Sequence, residues 1–201
     1  MIYIVSGYWR SGTSLMMRAL TAGGLDPLYQ EGRSEELNRV LGTEDYAPNP
    51  AYFELDARVM SRFDFPLGHD GKLIKCLTAG IPTLYPMDYL MVGMWRHPEE
   101  IRQSYNAMTR KQGVVAPTWL DYGPDQMARY ECRMDLLRDH VHNRRDMQYS
   151  EVRYRDELQA DPVGTFTRLR DCGWPINVEA AASAVEPERC RVKLEELAVG
   201  C

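Results

Sequence analysis

Apolar and polar positions along the chain fall into blocks whose period changes between two and about 3.6. Ile2-Tyr3-Ile4-Val5 is a short apolar run rich in β-branched residues, which predicts a buried strand. Gly7 to Gly12 then reads as a loop. From Ser14 to Ala22, Leu15, Met16, Ala19 and Leu20 recur on one side of a helix, and Gly23-Gly24 ends it. Leu25–Tyr29 is the candidate second strand. Glu31–Leu41 is polar and helical in pattern, Gly42–Pro50 is broken by two prolines into a loop, and Ala51–Phe63 is helical through Phe53, Ala57 and Met60. Lys72–Leu77 and Leu90–Trp95 are the third and fourth strands. A helix follows from Pro98, a favoured first-turn residue, to Arg110. Gly113–Pro124 is a loop. In Asp125–Val141, Met127, Tyr130, Met134, Leu137 and Val141 lie alternately three and four apart, an amphipathic helix. Met147–Tyr154 alternates as a strand. Pro162–Cys172 is a helix expected to bury Val163, Phe166 and Leu169, and Asn177–Leu197 reads as a helical tail.

Strands alternating with helices of ten or more residues predict crossover units, hence an α/β fold with three α/β/α layers around a mainly parallel central sheet. The chain carries no internal repeat or linker, so residues 1–201 are expected to form one domain. Ligands of such sheets sit beyond the carboxyl ends of the strands. Three segments therefore matter most: Gly7–Ser14, Gln30–Glu31 and Arg96–His97.

Composition narrows the function classes. The 201 residues carry 24 Lys+Arg against 29 Asp+Glu, a formal charge of -5. A mildly acidic chain lacks the basic footprint of a nucleic-acid binder. No apolar run approaches the roughly 20 residues a membrane helix needs. The basic residues divide into 20 Arg and 4 Lys. Arginine is the better fork for phosphate-like anions, although a compositional bias explains the ratio equally well. The five cysteines include no CxxC pair and suggest neither a disulfide framework nor a zinc site. Reduced thiols predict a cytoplasmic protein. The first apolar run follows Met1 directly, so neither leader nor anchor is expected.

Ser6-Gly7-Tyr8-Trp9-Arg10-Ser11-Gly12-Thr13-Ser14 follows a strand and opens a helix. Two glycines five apart let the backbone curl, and the helix N-terminus supplies partial positive charge. A nucleotide kinase would carry GxxxxGK[ST]; here Thr13 occupies the lysine position and the cation lies three residues earlier, at Arg10. The bland alternative is a tight turn with no ligand. At the end of the fourth strand stands Arg96, where a phosphate-transferring enzyme usually puts an acid for Mg²⁺. A cation there suits a second anion. Ser104, eight residues on, shares the apolar stripe of Ile101 and Met108 and must find a partner; bonding back to its own helix is the common alternative.

Arg10-Ser11-Gly12-Thr13-Ser14 resembles the 5′-phosphosulfate-binding loop of sulfotransferases that use 3′-phosphoadenosine-5′-phosphosulfate (PAPS), whose common form is P-[RK]-S-G-T-[ST]. Trp9 replaces the usual proline. Arg96-x7-Ser104 is similar to the family's 3′-phosphate motif. Val152-Arg153-Tyr154-Arg155-Asp156-Glu157-Leu158 with Asp161-Pro162 resembles its "RYEDL…DP" stretch, whose tyrosine lies near the adenosine. The three resemblances run in order from residue 2 to about 172. They imply a P-loop NTPase-like fold and a PAPS/PAP site: Arg10, Ser11, Gly12, Thr13 and Ser14 for the 5′ end, Arg96 and Ser104 for the 3′-phosphate, Tyr154 near the adenosine. No metal is required by the family, because a sulfuryl group carries less charge than a phosphoryl group.

Transfer also needs a base for the acceptor's proton. Cytosolic members of the family use a histidine shortly after the third strand. Here Lys75-Cys76-Leu77-Thr78 offers none, His69 precedes that strand, and His97 sits beside Arg96. The chain is more similar to bacterial and carbohydrate-directed branches, which use a glutamate just after the second strand. Glu31 lies there and is the first candidate; Glu54 is the second. For both, a solvated surface carboxylate is the alternative. Tyr46, Tyr52, Phe53, Trp119 and Tyr122 are candidate walls of an acceptor pocket or plain loop packing. The expectation is thus a sulfotransferase acting on a hydroxyl or amine of a small-molecule or carbohydrate acceptor, with pairing into a homodimer left open. Two rivals stand beside it: a nucleotide kinase or NTPase of related fold, and a non-catalytic PAP- or anion-binding protein.

Overall fold

The computed structural model describes residues 1–28, 55, 57–65, 67–111 and 124–185. Five parallel strands form one sheet in the order β2-β3-β1-β4-β5: β1 (Ile2–Gly7), β2 (Asp26–Pro27), β3 (Lys72–Lys75), β4 (Tyr89–Trp95) and β5 (Met147–Arg153). Ile4 pairs with Ile74 on one side and Met91 on the other. The central strand β1 is thus bonded on both edges, and an all-parallel sheet of this kind is found with both faces covered.

Both faces are covered. Leu73, Leu90, Val92 and Met94 point into one core with α1 (Thr13–Ala22) and, further along the chain, Phe166, Leu169, Trp174 and Ala181. Ile2, Ile4, Ile74 and Met91 point into the other core. There they meet α2 (Ala57–Met60), a 3₁₀ segment Thr78–Thr83, α3 (Pro98–Lys111) and α4 (Pro124–His142). The first face is completed by α5 (Pro162–Asp171) and α6 (Val178–Ser183). The three-layer α/β/α expectation is met. On α4, Tyr130, Met134, Leu137 and Val141 are all buried, as their spacing predicts.

Several expectations need correction. Among the described residues the second strand covers Asp26–Pro27, and Leu28 N still donates to Leu73 O at 2.8 Å beyond it; Tyr29 lies outside the described residues. The helix expected over 51–63 is limited, among described residues, to Ala57–Met60; a turn closes it, with Phe65 N donating to Arg62 O at 3.0 Å. Val163 is 55% exposed, since it lies in the first turn of α5 ahead of its buried stripe. The fifth strand stops at Arg153, and Tyr154 opens a π-helical turn, Tyr154–Gln159, that periodicity did not signal. Helix α6 ends at Ser183, well short of 197, and residues 186–201 lie outside the described ones. The 3₁₀ segment after β3, with Pro82 inside it, was also not foreseen.

The order of strands decides where a ligand belongs. The chain leaves β1 toward β3 and β2 and later crosses back to β4. The crevice above the carboxyl ends of β1 and β4 is therefore the switch point of the sheet. Gly7 and Met94 pair there, and the chain continues from them into Arg10 and Arg96.

Candidate active site

Two backbone features shape the loop after β1. Gly12, the N-cap of α1, sits at φ 101, and Arg10 at φ 66 is the one described non-glycine residue with positive φ. A left-handed non-glycine residue costs about 1–2 kcal/mol and persists where neighbours hold it. Arg96 does part of the holding: its Nη1 donates to the Arg10 carbonyl at 3.1 Å. Gly12 has a second reason to be glycine. A Cβ there would meet the Tyr154 ring at 2.2 Å.

The first turn of α1 receives no side-chain cap. The first amides of a helix have no partner within it, so they and the helix dipole are suited to an outside acceptor. Ser11 and Thr13 are buried; the Ser11 hydroxyl donates to the Tyr8 carbonyl at 2.7 Å and so stabilises the loop itself. Ser14 accepts from Lys75 Nζ at 3.2 Å. Lys75 is a buried lysine at the carboxyl end of β3, and its ammonium thus reaches the loop that has no lysine of its own.

Arg10, in turn, donates from Nε to Ser104 Oγ at 3.1 Å. Ser104 is buried on α3, and its partner is a cation of the loop after β1. Arg96 is buried as well. Its Nε donates to Glu100 Oε2 at 3.1 Å, and its guanidinium lies 4.3 Å from the centre of the Tyr154 ring. Glu100 uses its other oxygen for Arg155 Nη1, also at 3.1 Å. Tyr130 fixes the base of the arrangement: its hydroxyl accepts from Arg96 N and donates to Arg96 O. Burial pushes the Tyr130 phenol well above its ordinary value, so it stays a neutral hydrogen-bonding group.

The structure therefore brings Arg10, Ser11, Gly12, Thr13, Ser14, Arg96, Ser104 and Tyr154 into one contiguous cluster. Glu31 and Glu54 lie outside the described residues, as do Tyr46, Tyr52, Phe53, Trp119 and Tyr122. Tyr154, expected near the adenosine, opens the turn that follows β5. It is buried, with Gly12 against one part of the ring and Arg96 over it, and its hydroxyl accepts from Gln159 Nε2 at 3.0 Å. It spaces the loop from the end of β4. Lys75, Glu100, Tyr130 and Arg155 were missed from the sequence. A signal existed for Lys75, a charge closing an apolar strand. Glu100 and Arg155 are ordinary surface types in ordinary helical positions, and only contact reveals them.

Two histidines and a cavity are set apart from this cluster. His69 stacks on Phe65 at 4.7 Å, ahead of β3, and His97 Nδ1 accepts from Glu99 N at the start of α3. A cavity of about 310 Å³ between the 3₁₀ segment and α4 is lined by Thr78, Ile81, Pro82, Leu136 and Leu137, among others, and by no member of the cluster. Among the described residues no helix is long and apolar enough to cross a membrane.

Among the described residues, the cluster gathers Arg10, Arg96, Arg155 and Lys75 with the Glu100 carboxylate around the N-terminus of α1, whose N-cap Gly12 supplies no side-chain hydrogen bond. Guanidinium forks and a helix N-terminus are donor groups of the chemistry that suits a phosphate-like anion. In comparisons with known proteins, no protein-family model matches the chain, and no curated protein matches it.

Proposed function

We propose that this protein is a PAPS-dependent sulfotransferase that transfers a sulfuryl group to a hydroxyl or amine. The observation that carries the proposal is the 3.1 Å bond from Arg10 to Ser104, with Arg96 bonded to the Arg10 carbonyl. It joins the loop suited to a 5′-phosphosulfate with the Arg-Ser pair suited to a 3′-phosphate. The same residues have separate reasons to be what they are: Gly12 its close approach to Tyr154, Ser104 its buried hydroxyl.

In this reading the chain's groups divide the work. The loop amides, Ser14 and Arg10 hold the 5′ end, and Lys75 lies beside them. Ser104 and Arg96 serve the 3′-phosphate. The acceptor oxygen or nitrogen forms a bond to sulfur while the sulfur–oxygen bond to the 5′-phosphate breaks. The electron pair leaves on that phosphate oxygen, where the cations stabilise it. The acceptor's proton goes to Glu31, four residues beyond the end of β2. The products are a sulfated acceptor and PAP. A small-molecule or carbohydrate acceptor and a cytoplasmic setting belong to the same proposal.

Lys75 favours one rival specifically. A lysine close to an anion loop is also what a nucleoside-triphosphate site needs. Calorimetry with PAP, and with ATP plus Mg²⁺, separates the two. Tight PAP binding that is unchanged by EDTA is expected. A preference for Mg-ATP overturns the proposal. Radiolabelled donor with a panel of alcohols, amines and sugars then tests turnover, and the absence of any labelled product at saturating donor would leave an anion-binding protein.

A further inference from the structure

We propose that the indole of Trp9 is the contact face for the acceptor, and that the acceptor carries its reacting hydroxyl or amine on a six-membered ring with a flat apolar face. The inference rests on the sulfotransferase reading above. Trp9 is 53% exposed, whereas Trp174 in the core is 1% exposed. Exposure alone says little, because single apolar side chains on a surface are ordinary. What sets Trp9 apart is how it is held and where it stands.

Trp9 and Arg10 are the two central residues of a turn. The Ser11 amide closes it on the Tyr8 carbonyl at 3.2 Å, and the Ser11 hydroxyl donates to the same carbonyl at 2.7 Å. Arg10, third in the turn, has φ 66, positive as in a type II turn. Its carbonyl accepts from Arg96 and its guanidinium donates to Ser104. The indole itself packs on Tyr8, with ring centres 6.3 Å apart. Tyr8 packs edge-on against the buried Tyr130 at 5.3 Å, and the Tyr130 hydroxyl bonds to both backbone groups of Arg96. A continuous series of contacts therefore runs from Arg96 to the exposed indole. A face fixed in advance loses little freedom when a ligand lands on it.

Its place gives the ligand's class. Consecutive Cα atoms are about 3.8 Å apart, so the indole rises from the same turn that carries Arg10, the residue assigned to the sulfuryl-bearing end of the donor. Of the large apolar side chains exposed among the described residues, Trp9 is the one in the segments that leave β1 and β4 at the crevice. An indole offers a flat face with negative charge at its centre. An aromatic ring covers that face by offset stacking, and a sugar ring covers it with the polarised C–H groups of its apolar side. An open chain covers less of it. The two ring types share one chemistry, and the experiment tells them apart.

The test is calorimetry on the full chain saturated with PAP, which fills the donor site without turnover. The probes form two pairs: p-cresol against 1-heptanol, and methyl β-glucopyranoside against sorbitol. Wild type is expected to bind the ring member of one pair about tenfold tighter than its open-chain counterpart, and that pair identifies the ring. Trp9→Ala is expected to abolish the preference and leave PAP affinity unchanged. Trp9→Phe keeps a flat ring and is expected to retain most of the preference. No preference in either pair, or one that survives Trp9→Ala, overturns the proposal while the donor reading stands. A loss of PAP affinity in Trp9→Ala as large as the loss of ring affinity makes Trp9 a packing residue of the loop, which also overturns it. Failure of wild type to bind PAP overturns the donor reading, and this proposal with it.

Discussion

Arg10 Nε donates to Ser104 Oγ at 3.1 Å, joining two side chains that stand 94 residues apart in the sequence. One belongs to the loop after β1 and the other to α3, the helix after β4, so the bond links the segments that leave the two strands where the strand order reverses. Ser104→Ala deletes the acceptor and leaves the guanidinium without it. PAP affinity is expected to fall about tenfold, or about 1.4 kcal/mol, with little change in AMP affinity. Calorimetry with the two nucleotides checks this, and a circular-dichroism melt within a few degrees of wild type shows that the fold has not moved.

Gly12 is doubly constrained. Its φ of 101 disfavours any side chain, and a Cβ would stand 2.2 Å from the Tyr154 ring. Gly12→Ala is therefore expected to destabilise by about 2–4 kcal/mol, read as a lower urea midpoint at constant slope. Trimming the ring relieves the clash and not the φ, so Gly12→Ala with Tyr154→Leu is expected to be less unstable than the sum of the single changes. Strict additivity would mean that ring and glycine do not interact.

Stability should decline in alkali. Burial raises the Cys76 thiol to about 12 and the Tyr89 phenol to about 12, and pushes Tyr149 up as well. A group whose folded value exceeds its unfolded value stabilises fully below the unfolded value, and that contribution is lost as pH rises toward the folded one. The loss begins near pH 9 for Cys76 and near pH 10 for the tyrosines, at up to about 1.4 kcal/mol per pH unit for each group. Urea unfolding at pH 8, 9, 10 and 11 measures it. In Cys76→Ala the decline between pH 9 and 10 should nearly vanish. For the same reason a thiol reagent at pH 8 should label the exposed Cys132 and Cys172 and spare Cys76.

Glu31→Gln separates binding from chemistry. If Glu31 takes the acceptor's proton, this variant retains PAP affinity and loses about 10²–10⁴ in turnover. Labelled-product formation in the first minutes of reaction is the measurement. Full activity would assign the base elsewhere, with Glu54→Gln as the next variant to assay.

The local pattern by itself determined the layers and the ends that matter. Ile2–Val5, Leu90–Trp95 and the three-and-four spacing of Tyr130, Met134, Leu137 and Val141 depend on burial of one face or two, and burial leaves a period in the sequence. Loop residues such as Gly12 were legible for a related reason: strand, glycine loop and helix is a local arrangement whose chemistry is carried by adjacent residues. What periodicity could not give was the partnership among distant charges. Whether Ser104 bonds to its own helix or to Arg10, that Tyr154 packs between Gly12 and Arg96, and that Glu100 lies between two arginines depend on which strand ends are neighbours. That is set by the order β2-β3-β1-β4-β5, a result of the crossovers and of packing on both faces of the sheet. Charged side chains at helix positions 100 and 155 follow no apolar period, so only the tertiary structure decides that they meet.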